Sequence, residues 1–476
     1  MVELGRKVGY LERISICRNV ERLFTNFNVC AKYDKTFTAA QLSKALMNVI
    51  HKRPVLACNF FKLTEEDNAI TGYTDWELQT LNKIRFDEVV TFEHREAFDG
   101  EFLNEINKII IPVMVQNPLW RIRVVEVPNG DQYVFMYFDH SIFDGLSGKR
   151  LHQEICRELS KTEGDEKQIE YIFDRERDAV FLPERPDAPC EDFDCYRPRI
   201  WDKLAFIIPI LFPRVVKAYG YVASLFNKWV PNLKKNPKFN TKQLVYSTDT
   251  TSVIFNIKPE QLQQILLFCR SRKLTLTPYV QTIVMQCLEE VFFSRYDPEK
   301  VFSTESAIPI DARKNLPAEP YLLGCLASVY SVHTAPIMGR TLEAMRNTQT
   351  RLNKHLENNG VASLRELGMI RYIGYEKFKM FISKPVRYTL QVSNLGVVKE
   401  EKEDAYNISQ LYFGQNLGMR YYWSCCIGTT AKGGMNVVLS YLPQFNDLYD
   451  GKKRVMDVCV EQIKEKLVSF ANSEIS

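Results

Sequence analysis

The stretch Trp120-Arg121-Ile122-Arg123-Val124-Val125-Glu126-Val127-Pro128-Asn129-Gly130-Asp131-Gln132-Tyr133-Val134-Phe135-Met136-Tyr137-Phe138-Asp139-His140-Ser141-Ile142-Phe143-Asp144-Gly145 decides how the rest of the chain reads. Two apolar runs, Trp120–Val127 and Gln132–His140, flank the turn Pro128-Asn129-Gly130-Asp131. Asn-Gly is a favoured type I′ pair, so the stretch predicts a β-hairpin. Strand side chains alternate with a period of two, which puts Val134, Met136, Phe138 and His140 on one face. His140 is then the last position of an apolar face. A helix follows, with Leu151, Ile155 and Leu159 on one side.

A histidine at a strand end, an aspartate four residues on, then a glycine and a helix can support proton-transfer chemistry. Imidazole titrates near neutrality, so it can take a hydroxyl proton and return it later. Asp144 lies across the turn and can fix the loop without quenching the base. Gly145 allows a tight backbone path and leaves room for a substrate. The same residues also have bland readings. A His ending an apolar strand is often a half-buried core residue, and Asp144 suits the N-cap of the next helix. His-x-x-x-Asp occurs only once among the six histidines.

Outward from this stretch, Thr38-Ala39-Ala40-Gln41 is a capping box for a helix carrying Leu42, Ala45, Leu46, Val49 and Ile50, which should stop before Pro54. Val55–Phe60 reads as a strand. Residues 161–245 have weak periodicity and many prolines and aromatics, as a crossover between two halves would. Beyond it, Lys258-Pro259-Glu260 and Thr277-Pro278 open helices, the second running to about Phe293. Strands are expected at Val301–Ile308, Cys325–His333, Arg387–Asn394 and Ser409–Phe413. A hairpin of Tyr422–Thr430 and Met435–Leu442 turns at Ala431-Lys432-Gly433-Gly434, and a last helix covers about Lys453–Phe470. The fold class expected is α+β in two domains: residues 1–190, a crossover at 191–245, and residues 246–476.

The bulk numbers agree with that division. The 476 residues exceed what one hydrophobic core usually serves. With 45% hydrophobic and 25% charged residues, the composition is that of a globular chain and excludes disorder. A net charge of +4 on 62 basic and 58 acidic side chains calls for no nucleic-acid partner. Twelve scattered cysteines without a CxxC fit a reducing compartment and supply no metal ligand set, so no metal is expected. Met1–Arg18 carries too many charges for a signal peptide. The apolar stretch Leu204–Phe226 is broken by Pro209, Pro213, Arg214 and Lys217, too often to span a bilayer. Cytoplasmic localisation is expected. Lys203–Phe239 mixes Phe206, Ile207, Ile208, Leu211, Phe212, Tyr219, Tyr221, Phe226 and Trp229 with Lys228, Lys234, Lys235 and Lys238. Such a stretch suits either a membrane interface, at the endoplasmic reticulum or a lipid droplet, or a crossover packed on its own domain.

Several segments together carry a family resemblance. They are Phe138-Asp139-His140 through Gly145, Val49–Leu56, Tyr171-Ile172-Phe173, Ile308-Pro309-Ile310-Asp311-Ala312-Arg313, Ser393-Asn394-Leu395-Gly396, and Gly434-Met435-Asn436-Val437-Val438. Over most of its length the chain resembles the CoA-dependent acyltransferases that include chloramphenicol acetyltransferase and the plant BAHD enzymes. Within them it is most similar to the fungal alcohol O-acetyltransferases. Tyr412-Phe413-Gly414-Gln415-Asn416 stands where the plant enzymes carry Asp-Phe-Gly-Trp-Gly. Only Phe413 and Gly414 agree, which argues against a plant-type member.

The resemblance implies two chloramphenicol-acetyltransferase-like domains, each a mixed sheet with packed helices, and an active-site tunnel between them. His140 would be the general base and acetyl-CoA the co-substrate, with a small or lipophilic alcohol as acceptor. Asp144 would pair with Arg313, Ser393 and Asn394 would face the oxyanion, and Gly145 and Gly414 would lie in loops at the site. A monomer is expected. The alternatives are N-acetylation of a long-chain amino alcohol such as a sphingoid base, and a non-catalytic binding protein on the same fold. Cys425 and Cys426 have no histidine near in sequence and read as strand core rather than nucleophiles. Gly145-Leu146-Ser147-Gly148-Lys149 is not a nucleophile elbow.

Overall fold

The computed structural model describes residues 5–67, 72, 74–162, 167–184, 186–226, 248–293, 304–317, 323–334, 336, 337, 339–383 and 388–475. Two mixed sheets organise them. The first runs in the order Ile408–Gln415, Phe27–Tyr33, Gln132–Phe138, Trp120–Glu126, Val90–His94. The second runs Thr251–Ile257, Gly434–Tyr441, Tyr421–Thr430, Tyr388–Val398, Thr304–Asp311, Ala327–Thr334. Each sheet mixes parallel and antiparallel pairs. Each also has its own buried core, completed by helices Ala39–Lys52 and Gly145–Leu159 on the first sheet and Pro259–Ser271, Leu276–Cys287, Thr341–Leu356 and Val455–Ile475 on the second. This is the α+β, two-domain architecture read from the sequence.

The decisive hairpin forms, with Trp120 opposite Phe138 and Glu126 opposite Gln132. Its turn is not type I′. Pro128 holds a negative φ through its ring, and only Gly130 enters the left-handed region, at φ +84°. Gly130 N–H closes the turn on Val127 O at 2.9 Å. The second strand ends at Phe138, so His140 sits in the turn just beyond it rather than within the strand.

The capping box is present: Gln41 N–H donates to Thr38 Oγ1 and Thr38 N–H to Gln41 Oε1, at 3.2 and 3.0 Å. That helix ends at Lys52, ahead of Pro54. The strand expected from Val55 begins only at Cys58. Pro54–Ala57 is a 3₁₀ turn whose Leu56 carbonyl accepts from Trp120 Nε1 at 2.8 Å. The proline ring favours the tight turn, and the buried indole holds it there.

One strand crosses between the halves. Ile408–Gln415 comes from the chain's second half yet pairs with Phe27–Tyr33 in the first sheet. A boundary after residue 245 does not anticipate this exchange. Where the two sheets meet, a Cβ on Gly428 would stand 2.3 Å from Leu411 O, so only glycine lets the strands approach this closely.

The crossover holds two helices, Ile200–Leu211 and Pro213–Phe226. The prolines that obscured them sit in the last turn of one and at the first position of the other. Trp229, Lys228, Lys234, Lys235, Lys238 and the boundary near Leu244 lie outside the described residues, as do residues 301–303 and Arg387 of the expected strands. No helix among the described residues is long and apolar enough to cross a membrane.

Candidate active site

A cavity of about 410 Å³ lies between the two halves. His140, Asp144 and Gly145 line it from the first half, and Cys325, Ser393 and Asn394 from the second. The His140 ring rests near Phe27 and Phe24, with centroids 4.8 and 5.7 Å away. Its Nδ1 is 3.3 Å from the Cys325 sulfur. Burial, and then the nearby charge of Arg18, lower its pKa from 6.5 to about 4, while Asp144 and the carbonyls of His140 and Phe143 pull the other way. The ring is therefore neutral at physiological pH, as a proton acceptor must be. Burial pushes the Cys325 thiol up to about 12, so this Cys–His contact is not a thiolate–imidazolium pair.

Asp144 turns to other partners. It caps the helix Gly145–Leu159 by accepting from Ser147 N–H at 2.9 Å. It also accepts from Leu326 N–H at 3.0 Å and from both terminal nitrogens of Arg313, each at 2.9 Å. Burial alone would raise this carboxyl; the Arg313 charge and the hydrogen bonds outweigh it and hold the carboxyl below its usual range. Arg313 is clamped in turn by Asp311 Oδ1 and Gly324 O, each at 3.0 Å. An acceptor this fully engaged positions the turn and does not shuttle protons. The N-cap reading and the ion-pair reading hold together.

The remaining expected residues divide. Ser393 and Asn394 lie on strand Tyr388–Val398, at a bulge between Asn394 and Val397. Asn394 is occupied: its Oδ1 accepts from Gly396 N–H at 2.8 Å and its Nδ2 donates to Thr277 Oγ1 at 3.3 Å. Gly145 and Gly414 are not loop residues. Gly145 is the first residue of its helix, and Gly414 lies inside strand Ile408–Gln415. Strand alternation points Phe413 and Gln415 into the cavity and Gly414 away from it, toward Asn28. Cys425 and Cys426 are buried strand core. The Ser147 hydroxyl is taken up by Asp144, Arg313 and Gly324.

Sequence reasoning missed Arg18, Cys325, Gln391, Gln415 and Arg420, all of which line the cavity. Cys325 stands 185 positions from His140, and no local pattern links them. Gln391 and Gln415 bond to each other across the cavity wall, and Ser424 Oγ donates to Gln391 Oε1 at 3.2 Å. Among the described residues no group of three or more His, Cys, Asp or Glu could hold a metal ion.

Comparison with known proteins agrees with this architecture. Alcohol O-acetyltransferase 1 of Saccharomyces cerevisiae is 23% identical over 92% of this chain and 91% of its own length. Alcohol O-acetyltransferase 2 of the same yeast is 21% identical over the same shares. The solved trichothecene 15-O-acetyltransferase of Fusarium sporotrichioides superposes with a TM-score of 0.66, covering 98% of this chain and 95% of that one at 11% identity, a likeness of fold. The alcohol acetyltransferase family model matches residues 7–456, nearly the whole chain. The chain is an acyltransferase that belongs to the alcohol acetyltransferase family.

Proposed function

We propose that the chain transfers the acetyl group of acetyl-CoA to an alcohol hydroxyl, with His140 as general base. The observation that carries this reading is a neutral imidazole on the wall of an internal cavity shared by both halves. Nδ1 stands 3.3 Å from the Cys325 sulfur, and the proposed base is the tautomer in which Nε2 is the proton acceptor. It removes the hydroxyl proton as the oxygen attacks the thioester carbonyl. The tetrahedral oxyanion needs donors, and Ser393 is the better of the two candidates. It lines the cavity, whereas the Asn394 amide is already engaged. The imidazolium then protonates the departing CoA sulfur, and thiol and acetate ester leave. Asp144 and Arg313 hold the turn that presents His140.

The test is His140→Ala in purified full-length protein, following thiol release from acetyl-CoA and ester formation with an alcohol panel. Loss of about 10²–10⁴-fold is expected for a general base. Ester formation at the parent rate would overturn the assignment.

We also propose that the helix pair Ile200–Leu211 and Pro213–Phe226 rests on a lipid surface. Ile200, Trp201, Leu211, Phe212, Val215 and Tyr219 are all exposed there, Trp201 and Tyr219 each at 76%. Six exposed apolar side chains on one short segment are unusual in a chain that stays in water. A lipid-bound enzyme would meet lipophilic alcohols where they concentrate.

A further inference from the structure

Two arginines of the cavity make no ion pair among the described residues. Arg18 comes from helix Tyr10–Val20 and Arg420 directly precedes strand Tyr421–Thr430; both line the cavity that holds His140. Among the described residues neither side chain has an ion pair, and Arg420 Nε is buried with no hydrogen-bond partner. The other arginines of the cavity region are paired: Arg6 with Glu12 at 2.6 Å, and Arg313 with Asp144 at 2.9 Å. The carboxylate whose field reaches Arg18 is Asp139, and its oxygens are taken by Asn19 Nδ2 at 2.6 Å and Ser141 N–H at 2.9 Å. Burial first, and then the charge of Arg420, lower the pKa of Arg18.

A guanidinium stays charged at every working pH. Arg18 and Arg420 are both half-buried, and two such cations side by side without an ion-pair partner cost folding energy. Their forked donors match one ligand group best, a planar or tetrahedral oxyanion gripped by both.

The geometry limits which anion that is. The Arg18 guanidinium lies 4.5 Å over the Phe24 ring, and that ring is 5.7 Å from the imidazole of His140. One phenyl ring therefore spans the gap. A pantetheine arm has about thirteen bonds between its sulfur and its first phosphate, roughly 16 Å extended. With the thioester at His140, the CoA phosphates lie well beyond this arginine pair. The cavity lining includes the apolar side chains of Ile14, Leu23, Phe378, Ile382 and Met419, beside polar ones such as Ser15 and Tyr421.

We propose that Arg18 and Arg420 bind an acid group on the acceptor, so that the substrate class is a hydroxy acid with a hydrocarbon body. Its hydroxyl reaches His140 and its carboxylate rests between the two guanidinium groups. This proposal rests on the reading of His140 as the acetyl-transfer base.

The test compares ω-hydroxyoctanoate, its methyl ester and octanol as acceptors for the full-length protein, with binding measured separately by calorimetry. The parent should favour the acid over its ester by about tenfold or more in kcat/KM and in affinity, a modest share of what one desolvated charge pair supplies. In Arg18→Met and Arg420→Met the ratio should fall to about one, through the KM of the acid. Arg18→Lys should keep part of it, which separates lost charge from lost folding. A parent ratio near one overturns the proposal, as does a rise in the KM of acetyl-CoA with the acid-to-ester ratio intact. Acetylation of octanol that needs His140 but shows no acid preference keeps the reaction and removes the subsite. Arginine-dependent binding of the acid, with no acceptor acetylated, keeps the subsite and removes the reaction.

Discussion

His140 is a base whose environment has moved it far from its free value. In the unfolded chain the imidazole takes up a proton near pH 6.5, and in the folded chain only at about 4, through burial and the charge of Arg18. Between those values the unfolded state holds more protons. The stability contributed by the neutral ring is complete above about pH 6.5 and is lost as pH falls toward 4. His152, buried between Tyr33 OH at 2.9 Å and Val29 O at 3.0 Å, is lowered to about 4 by the same burial and adds to the acid sensitivity. The acid limb of kcat/KM should accordingly lie below pH 5, and Arg18→Met should move it upward. A pH–rate profile checks both, and a limb at 6.5 in the parent would contradict the buried ring.

Asp144 and Arg313 make a second residue-scale case. Asp144→Asn or Arg313→Ala strands the other partner in a dry site, where breaking such a pair costs about 3–5 kcal/mol. The double variant should be no worse than either single in denaturant titrations, because the two act as one unit. Fully additive losses would separate them. The partners stand 169 positions apart. Asp144 was legible locally as a cap, but its arginine was reachable only through family resemblance, since no periodicity connects a helix start to the end of a distant strand.

The strand Ile408–Gln415 shows what elements contribute. It belongs to the second half by sequence and to the first sheet by pairing, and it carries Phe413 and Gln415 into the cavity. Its seat depends on Gly428, where an added Cβ would meet the Leu411 carbonyl, a backbone atom with little room to move. Gly428→Ala should cost roughly 1–3 kcal/mol of stability, as overpacking does. Thermal denaturation is the measurement, and a melting temperature equal to the parent's would mean that the strands part freely. The capping box at Thr38 and the hairpin at 120–138 were readable because each closes its hydrogen bonds within a few residues. The 3₁₀ turn at Pro54–Ala57 was not, because Trp120, 64 positions away, holds it through Leu56 O. The helix Ile200–Leu211 was missed because apolar residues surround it on most sides, which leaves no clean 3.6-residue stripe, and Pro213–Phe226 because prolines punctuate the stretch that holds both.

At the scale of the whole molecule, the exposed apolar side chains of this helix pair are a property of the surface. If the helix pair docks on lipid, full-length protein should sediment with phosphatidylcholine vesicles. Trp201→Asp combined with Leu211→Asp should cut the bound fraction at least severalfold, because charge is costly in the interface. Equal sedimentation of parent and variant would leave the helices with another role.

Local pattern along the chain was enough for the two-half α+β plan, the elements with their own periodicity or caps, and the place of His140 at the end of an apolar run. Those depend on residues within a turn or two of one another, and side-chain periods of 2 and 3.6 report them directly. The packed fold settled which strand crosses between the sheets and which thiol faces the imidazole. The same holds for the two unpaired arginines beside it. Burial, electric field and counter-charge come from groups brought together across hundreds of positions, and a linear pattern carries no record of that proximity.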